Sequence, residues 1–352
     1  MNTLRIFAQH DVSIPGATAW YLADLGELRG KQDLYTRQAP QRLKTLREHA
    51  VIESAVSSNR IEGVTADPAR VRDILVSPKP LFRDRDEEEI RGYRDALNLI
   101  HEQADGLSIT EDTLRNLHRL ARGQIWDAGL YKDKDSDIIE RRPDGTDRIR
   151  FSTVTAADTP RYMQALFSNW QQCLEDRWIH PLIAMAAFNL DLLCIHPFRD
   201  GNGRVSRLLF LLQSYRFGYE AGRYVSIERL IEQNKLRYYE TLEQSSQGWH
   251  SGKHDPWPYI NYLLFILKLA YREFVDRVGE THAPRGEKTG MIHAAIKQQP
   301  REFSLTQLEQ ACPGVSRDMI RRVLATLKGE QVECIGRGPG AKWVKKEGNW
   351  LE

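Results

Sequence analysis

Three observations predict a mainly α-helical protein with one short β-hairpin inside it and a small helix-and-hairpin domain at its C-terminal end. Helix-like apolar periodicity runs through most of residues 40–274. Strand-like runs occur in the charged stretch Asp133 to Phe151 and in the pair Gln331–Ile335 and Ala341–Lys345. Between residues 279 and 290 the chain is polar and rich in turn residues, which marks a domain boundary.

Taken in order, the helical pattern covers Pro40 to Ala55, Ala66 to Val76, Arg85 to Glu102, Thr110 to Arg122, Thr159 to Glu175 and Ile227 to Gln244. Within it, Glu87-Glu88-Glu89 reads as a solvated helix face. In the stretch after Asp133, two charged strand-like runs flank Pro143-Asp144-Gly145, a turn signal, so an exposed hairpin is expected. Pro181 to Ile195 is apolar throughout with proline in its first turn, the mark of a buried helix, and Arg204 to Arg216 follows as another. Asp255 to Phe274 carries aromatics at helical spacing, which core packing explains. Beyond the linker, Met291 to Gln298 and Leu305 to Ala311 are short helices, Pro313-Gly314 makes a turn, and Ser316 caps Arg317 to Leu327. The expected divisions are therefore 1–105, 106–278, a linker at 279–290, and 291–352.

Composition narrows the class. With 352 residues, 41% apolar and 28% charged, the chain can bury a sizeable core. No apolar run reaches membrane-spanning length and no basic segment followed by an apolar one opens the sequence, so a cytoplasmic protein without membrane partners is expected. Cys173, Cys194, Cys312 and Cys334 are far apart and lack the paired spacings of zinc sites; they read as free, packed thiols.

Chemistry concentrates in His196-Pro197-Phe198-Arg199-Asp200-Gly201-Asn202-Gly203-Arg204, followed by Arg207. His196 sits at the end of the buried helix, and an imidazole of ordinary pKa near 6.5 is largely neutral at pH 7, fit to take a proton from an attacking hydroxyl. Gly201-Asn202-Gly203 forms the entry turn of the next helix, where unpaired N–H groups and the positive dipole end suit a phosphate. Arg204 and Arg207 are three apart, so both can address one polyphosphate. Asp200 beside that cradle is a hard oxygen ligand of the kind that holds Mg2+ together with phosphate oxygens. The residues alone reach a Mg2+-dependent nucleotidyl or phosphoryl transferase.

The series His-Pro-Phe-Arg-Asp-Gly-Asn-Gly-Arg-Val-Ser-Arg resembles the signature of the Fic family, matching every specified position. That resemblance implies a Fic-type helical core with a short β-hairpin flap, and transfer of AMP from ATP to a Ser, Thr or Tyr hydroxyl of a target protein. It also implies roles. His196 is the base and Asp200 holds Mg2+; Gly201, Asn202, Gly203 and Arg204 cradle phosphates, Arg207 takes the γ-phosphate, and Phe198 packs the loop. Far upstream, Ser58-Asn59-Arg60-Ile61-Glu62-Gly63 resembles the family's inhibitory motif, with Ser58, Glu62 and Gly63 at its specified positions; a bidentate Glu62–Arg207 pair would deny the γ-phosphate its partner. The hairpin after Asp133 corresponds by position to the family's target-docking flap, and proteins of this layout are often homodimers.

Residues 285–352 hold twelve basic against eight acidic side chains, while the rest of the chain carries a slight acidic excess. Three helices followed by a hairpin look like a winged helix-turn-helix domain, with Arg317, Arg321 and Arg322 on its recognition helix and Arg337 and Lys342 in its wing available to DNA. Two classes of function follow. One is a self-restrained AMP-transferring enzyme. The other is a nucleotide-sensing DNA-binding regulator, and variants of the first would remove AMP or transfer another nucleotide.

Overall fold

The computed structural model of the chain describes residues 3–9, 12–36, 40–77, 81–141, 145–279, 287–312, 315–329, 331–336 and 341–346. These form two compact units, 1–278 and 279–352. The expected turn at Pro143-Asp144, most of the 279–290 linker, the Pro313-Gly314 turn and Arg337 lie outside the described residues.

The first unit is helical, as expected. Its elements are α1 (Thr3–Ile6), α2 (Gly16–Thr36), α3 (Pro40–Ile61), α4 (Pro68–Val76), α5 (Arg85–Gln103), α6 (Glu111–Arg122), β1 (Asp137–Arg141), β2 (Asp147–Ser152), α7 (Thr159–Glu175), α8 (Pro181–Ile195), α9 (Asn202–Arg216), α10 (Ile227–Gln233), α11 (Lys235–Ser246) and α12 (Trp257–Gly279). Helix ends follow local chemistry: Asp67, Asp84, Thr110 and Ser226 each cap a helix by accepting a backbone N–H. The helix read from Ile227 to Gln244 is in fact two, broken at Asn234, whose side-chain amide donates back to the Leu230 carbonyl at 2.9 Å. The Pro40 helix runs past the expected end at Ala55 to Ile61, so Ser58 to Ile61 is its last turn.

Helix α8 is the axis of this unit. From Leu182 to Ile195 each residue is buried, which its uniformly apolar sequence required. Its few polar groups act as internal ties: Asn189 donates to the Ser206 carbonyl of α9 at 2.8 Å and accepts from the Tyr259 hydroxyl of α12 at 2.8 Å. Asp191, fully buried, accepts from Thr3 and Leu4 N–H and from Trp249 Nε1, and so fastens α1 to the core. The aromatics of α12 are core residues; Tyr259, Tyr262, Tyr271 and Phe274 are all buried. Strands β1 and β2 pair antiparallel as the predicted hairpin, with Ile139 opposite Ile149 and both exposed.

In the second unit, α13 (Glu287–Gln298) begins inside the expected linker, β3 (Glu302–Ser304) leads into α14 (Leu305–Ala311), and α15 (Arg317–Leu327) precedes β4 (Val332–Ile335) and β5 (Lys342–Lys345). Ser304 and Gln307 form a reciprocal capping box at α14. The predicted hairpin gains a third strand, in the order β3-β5-β4, because Glu302–Ser304 pairs with Lys342–Val344. Ile292, Ile296, Phe303, Leu308, Ile320 and Leu324 make its core. All four cysteines are free; Cys173, Cys194 and Cys312 are buried and Cys334 is partly so.

Candidate active site

The signature turn joins the buried end of α8 to the start of α9. His196 is the C-cap of α8 in the left-handed region, φ 54°, a strained choice for a β-substituted residue. Lys132 holds that bend from both sides: its ammonium donates to the Ile195 carbonyl at 3.3 Å and to Thr153 Oγ1 at 2.7 Å, and its N–H donates to the Pro197 carbonyl at 2.9 Å. Burial, and next the charge of Lys132, push the His196 imidazole down to about 4, while the Leu193 carbonyl works the other way without closing a well-formed hydrogen bond at buried Nδ1. The ring is therefore neutral at pH 7 with Nε2 as the more open nitrogen.

Phe198 is fully buried and lies flat on the imidazole of His118 from α6, with ring centroids 3.8 Å apart and planes within 6°. Gly129 N–H donates to His118 Nδ1, so the proton of the neutral ring sits on Nε2, which donates to the Asp200 carbonyl at 2.9 Å. Burial pushes this imidazole also down to about 4. His118 thus pins both the ring and the backbone of the turn. Sequence reading passed over it because its partners lie 11 and 82 residues away.

Two glycines are dictated by close approach. Gly201 has φ 82°, and a Cβ there would meet Arg122 Cδ at 2.9 Å and His118 Nε2 at 3.2 Å. A Cβ on Gly203 would stand 2.1 Å from Glu62 Oε1. The first turn of α9 is thereby left bare toward Glu62. Asn202, in contrast, turns inward: its amide accepts from Phe198 N–H at 2.9 Å and donates to the Phe198 carbonyl at 2.8 Å, closing the turn. Its side chain is a brace for the turn; only its backbone remains for an anion.

The two signature arginines diverge, contrary to the expectation that they share a face toward one ligand. Arg204 is 1% exposed and donates to Asn59 Oδ1 at 3.2 Å and to Glu89, with Asp200 at 3.5 Å. Glu89 also receives Arg122 and Arg85. This overturns the reading of Glu87-Glu88-Glu89 as a solvated face: Glu87 and Glu89 are 3% and 2% exposed, because guanidiniums from α4, α6 and α9 reach them. Burial of carboxylates is tolerated when such partners neutralise them. Arg70, its N–H and charge acting on Glu87, holds that carboxyl at about 2 against the opposing effect of burial.

Arg207 donates Nε to Ser58 Oγ at 2.9 Å, and Nη2 to the Ser58 carbonyl at 3.0 Å and to Glu62 Oε1 at 2.8 Å. The Glu62 contact is a single hydrogen bond from Nη2 and not the bidentate fork expected, with Nε and the rest of Nη2 turned to Ser58. Nη1 is buried without a partner. Gly63 ends the segment just past α3, its N–H bonded to the Arg60 carbonyl at 3.1 Å. Glu62, Gly203 and His196 line one cavity of about 370 Å³, with Ile138, Ile139 and Phe151 of the hairpin and Tyr238 and Tyr239 of α11 around it.

Asp200 is exposed, its side chain 56% open. Arg122 donates to its Oδ2 at 2.8 Å, and Gly201 N–H to its Oδ1 at 2.5 Å. Among the described residues no three His, Cys, Asp or Glu side chains converge as a metal cage. A single open carboxylate beside the N-terminus of α9 fits Mg2+, which takes one or two carboxylates and completes its shell with phosphate oxygens and water.

With this geometry in view, comparison with known proteins is direct. The Fic/DOC family matches residues 108–214, which run from the start of α6 through α9. Over 212 residues, 58% of this chain, the sequence is 27% identical to the protein adenylyltransferases Fic of Nematostella vectensis and Culex quinquefasciatus, covering 46% and 39% of those proteins. The chain thus spans less than half the length of these relatives. A crystal structure of a Fic family protein from Desulfovibrio desulfuricans superimposes with TM-score 0.62 at 24% identity, covering 97% of this chain and all of that one. A Fic-domain signalling protein from Bacteroides thetaiotaomicron gives 0.61 at 23% identity, over 73% of this chain and 97% of its own. Residues 108–214 match the Fic/DOC family. The chain's helical architecture is the Fic fold.

Proposed function

We propose that this protein transfers AMP from ATP to a hydroxyl side chain of a target protein, and that Glu62 restrains it by occupying Arg207. The observation that carries this reading is the shared cavity: the half-buried, neutral imidazole of His196, the bare first turn of α9 and the Glu62 carboxylate that Arg207 holds all meet there. The curated relatives over this region bear the name protein adenylyltransferase, which supports the same activity.

In the reaction, the target hydroxyl oxygen attacks the α-phosphorus of ATP and a new O–P bond forms. The bond from that phosphorus to the β-bridging oxygen breaks, and pyrophosphate leaves. His196 takes the hydroxyl proton, a task for which the neutral ring is ready at pH 7. Backbone N–H groups at Gly201, Asn202 and Gly203 receive phosphate oxygens at the positive end of α9. Arg204 contributes by holding this turn from within, and Arg207 binds the γ-phosphate when Glu62 gives way. Asp200 would hold Mg2+, which when bound neutralises charge on the phosphates. The hairpin β1–β2, with Ile139 and Ile149 exposed, offers an edge and an apolar pair on which an extended target segment can lie. Incubating the chain with labelled ATP, Mg2+ and a cell lysate tests the reading; absence of any covalently labelled protein, even with Glu62→Gly, would overturn it.

We propose that the second unit is a winged helix domain with DNA as its partner, a reading that its helix order and three-stranded sheet support. On α15, Ile320, Val323, Leu324 and Leu327 are buried while Arg317, Arg321 and Arg322 are exposed, which supports a basic face on this helix. Replacing Arg321 and Arg322 by alanine should weaken binding and reduce its salt dependence. Salt-insensitive binding would move the unit to protein docking.

A further inference from the structure

Beside the signature turn, and sharing no residue with the cavity of His196 and Glu62, is a recess of about 260 Å³ walled by Arg85, Arg122, Trp126, Asp127, Arg199 and Asp200. Its charges come from three separate elements. Arg85 opens α5, and its half-exposed guanidinium lies 3.7 Å from Asp200 Oδ2. Arg122 closes α6 and grips the same oxygen at 2.8 Å. Arg199 is exposed over the Trp126 ring, 5.6 Å from its centroid, and among the described residues it pairs with no carboxylate.

Two buried atoms here lack partners: the donor Arg122 Nε and the acceptor Asp127 Oδ1. Both belong to residues at least nine-tenths buried. An orphaned buried donor and acceptor are each costly, and their presence in two residues that wall one charged recess points to a ligand that satisfies both. With Glu89 and Arg204 behind the wall, four guanidiniums face three carboxylates, so the recess favours an anion. A cation held by Asp200 would raise that preference further.

We propose that this recess is a second phosphate subsite, distinct from Arg207, and that its ligand is inorganic pyrophosphate together with a hydrated divalent cation. Guanidiniums of Arg85, Arg122 and Arg199 meet the phosphate oxygens, which also satisfies Arg122 Nε, and Asp127 Oδ1 accepts from water on the cation. The choice of pyrophosphate rests on the proposed AMP transfer, which releases it beside Asp200; the anion subsite itself does not. Once the γ-phosphate has left Arg207, Arg85 from α5 and Arg199 from the signature turn thereby receive the leaving group.

Titration calorimetry of the full chain with magnesium pyrophosphate, and separately with AMP, tests this. Arg85 and Arg199 are exposed enough to be replaced together without opening the core. The double alanine variant should bind pyrophosphate about tenfold or more weakly, the worth of one or two charge-assisted hydrogen bonds, while AMP affinity stays the same. Equal pyrophosphate affinity in the two proteins, or no binding to either, overturns the subsite. Binding abolished by Arg207→Ala but untouched by the double variant would assign the anion to the signature alone and overturn it equally. Because the readout is binding, a chain that loses pyrophosphate with the double variant yet labels no protein would keep the subsite and sink the AMP-transfer reading.

Discussion

Arg204 and Arg207 stand three residues apart on one helix, and the regions around them behave as opposites. The Arg204 side is a closed frame: Glu89 from α5 collects Arg85, Arg122 and Arg204, Asn202 closes the turn on Phe198, and His118 pins it from α6. On the Arg207 side the guanidinium rests against Ser58 and a Glu62 carboxylate that is 29% exposed at a cavity wall. The first holds a shape and the second holds a place. What separates them is how many neighbours each carboxylate has committed, and how far water reaches it. A buried carboxylate with three guanidiniums cannot be exchanged without exposing all of them, whereas Glu62 gives up one hydrogen bond.

The largest effect that would break this contrast concerns chemistry at the cavity. His196→Ala should lower AMP transfer by about 10² to 10⁴ while ATP binding and unfolding midpoint stay near those of the parent, measured with labelled ATP and by denaturant titration. Undiminished transfer would remove the base from the mechanism. Next, Glu89→Ala should destabilise the fold by about 3–5 kcal/mol, since it strands several buried guanidiniums, whereas Glu62→Ala should cost less, since it unpairs one guanidinium at a cavity wall that water can reach. Similar costs for the two would erase the distinction between frame and latch.

A smaller effect sharpens the latch itself. Glu62→Gly should raise AMP transfer about tenfold, the worth of one charge-assisted hydrogen bond released, and the gain should vanish in an Arg207→Ala background. An equal gain in both backgrounds would disprove the pair, and a loss on Glu62→Gly alone would give the glutamate a catalytic role. Least of all should pH between 6 and 9 matter to the base. With the His196 imidazole held at about 4, its neutral form is complete above pH 6 and is lost only as pH falls through 4. Its lowered value also means that protonation favours the unfolded chain, so this group's destabilising effect grows as pH drops from about 6.5 toward 4. An inflection in transfer rate near 6.5, abolished by His196→Ala, would show an ordinary, solvated imidazole instead.

Much of this was legible along the chain. The uniformly apolar run from Leu182 to Ile195 could only be a buried helix, and Gly201 to Gly203 had to be a close-approach turn beside a histidine, a carboxylate and two arginines. The cap at Ser316 was local enough to be read from neighbouring residues, and those the structure adds at Thr110 and Ser304 rest on equally short spacings. The break at Asn234 was not, because a polar residue inside an amphipathic pattern continues a helix or ends it according to what its side chain finds to bond.

Sequence by itself determined which chemical groups lie at the signature and that they open a helix, because those depend on spacings of a few residues. Only the tertiary structure decided which arginine is closed into the buried frame and which faces a half-open carboxylate at the cavity wall. Arg204 meets a glutamate 115 residues away, and Arg207 a serine 149 residues away. Sequence likewise placed three glutamates on one helix, but burial of Glu87 and Glu89 depends on Arg70, Arg122 and Arg204 arriving from other elements. A charge's role is set by the desolvated partners around it, and helical periodicity carries no record of which distant chain segment will supply them.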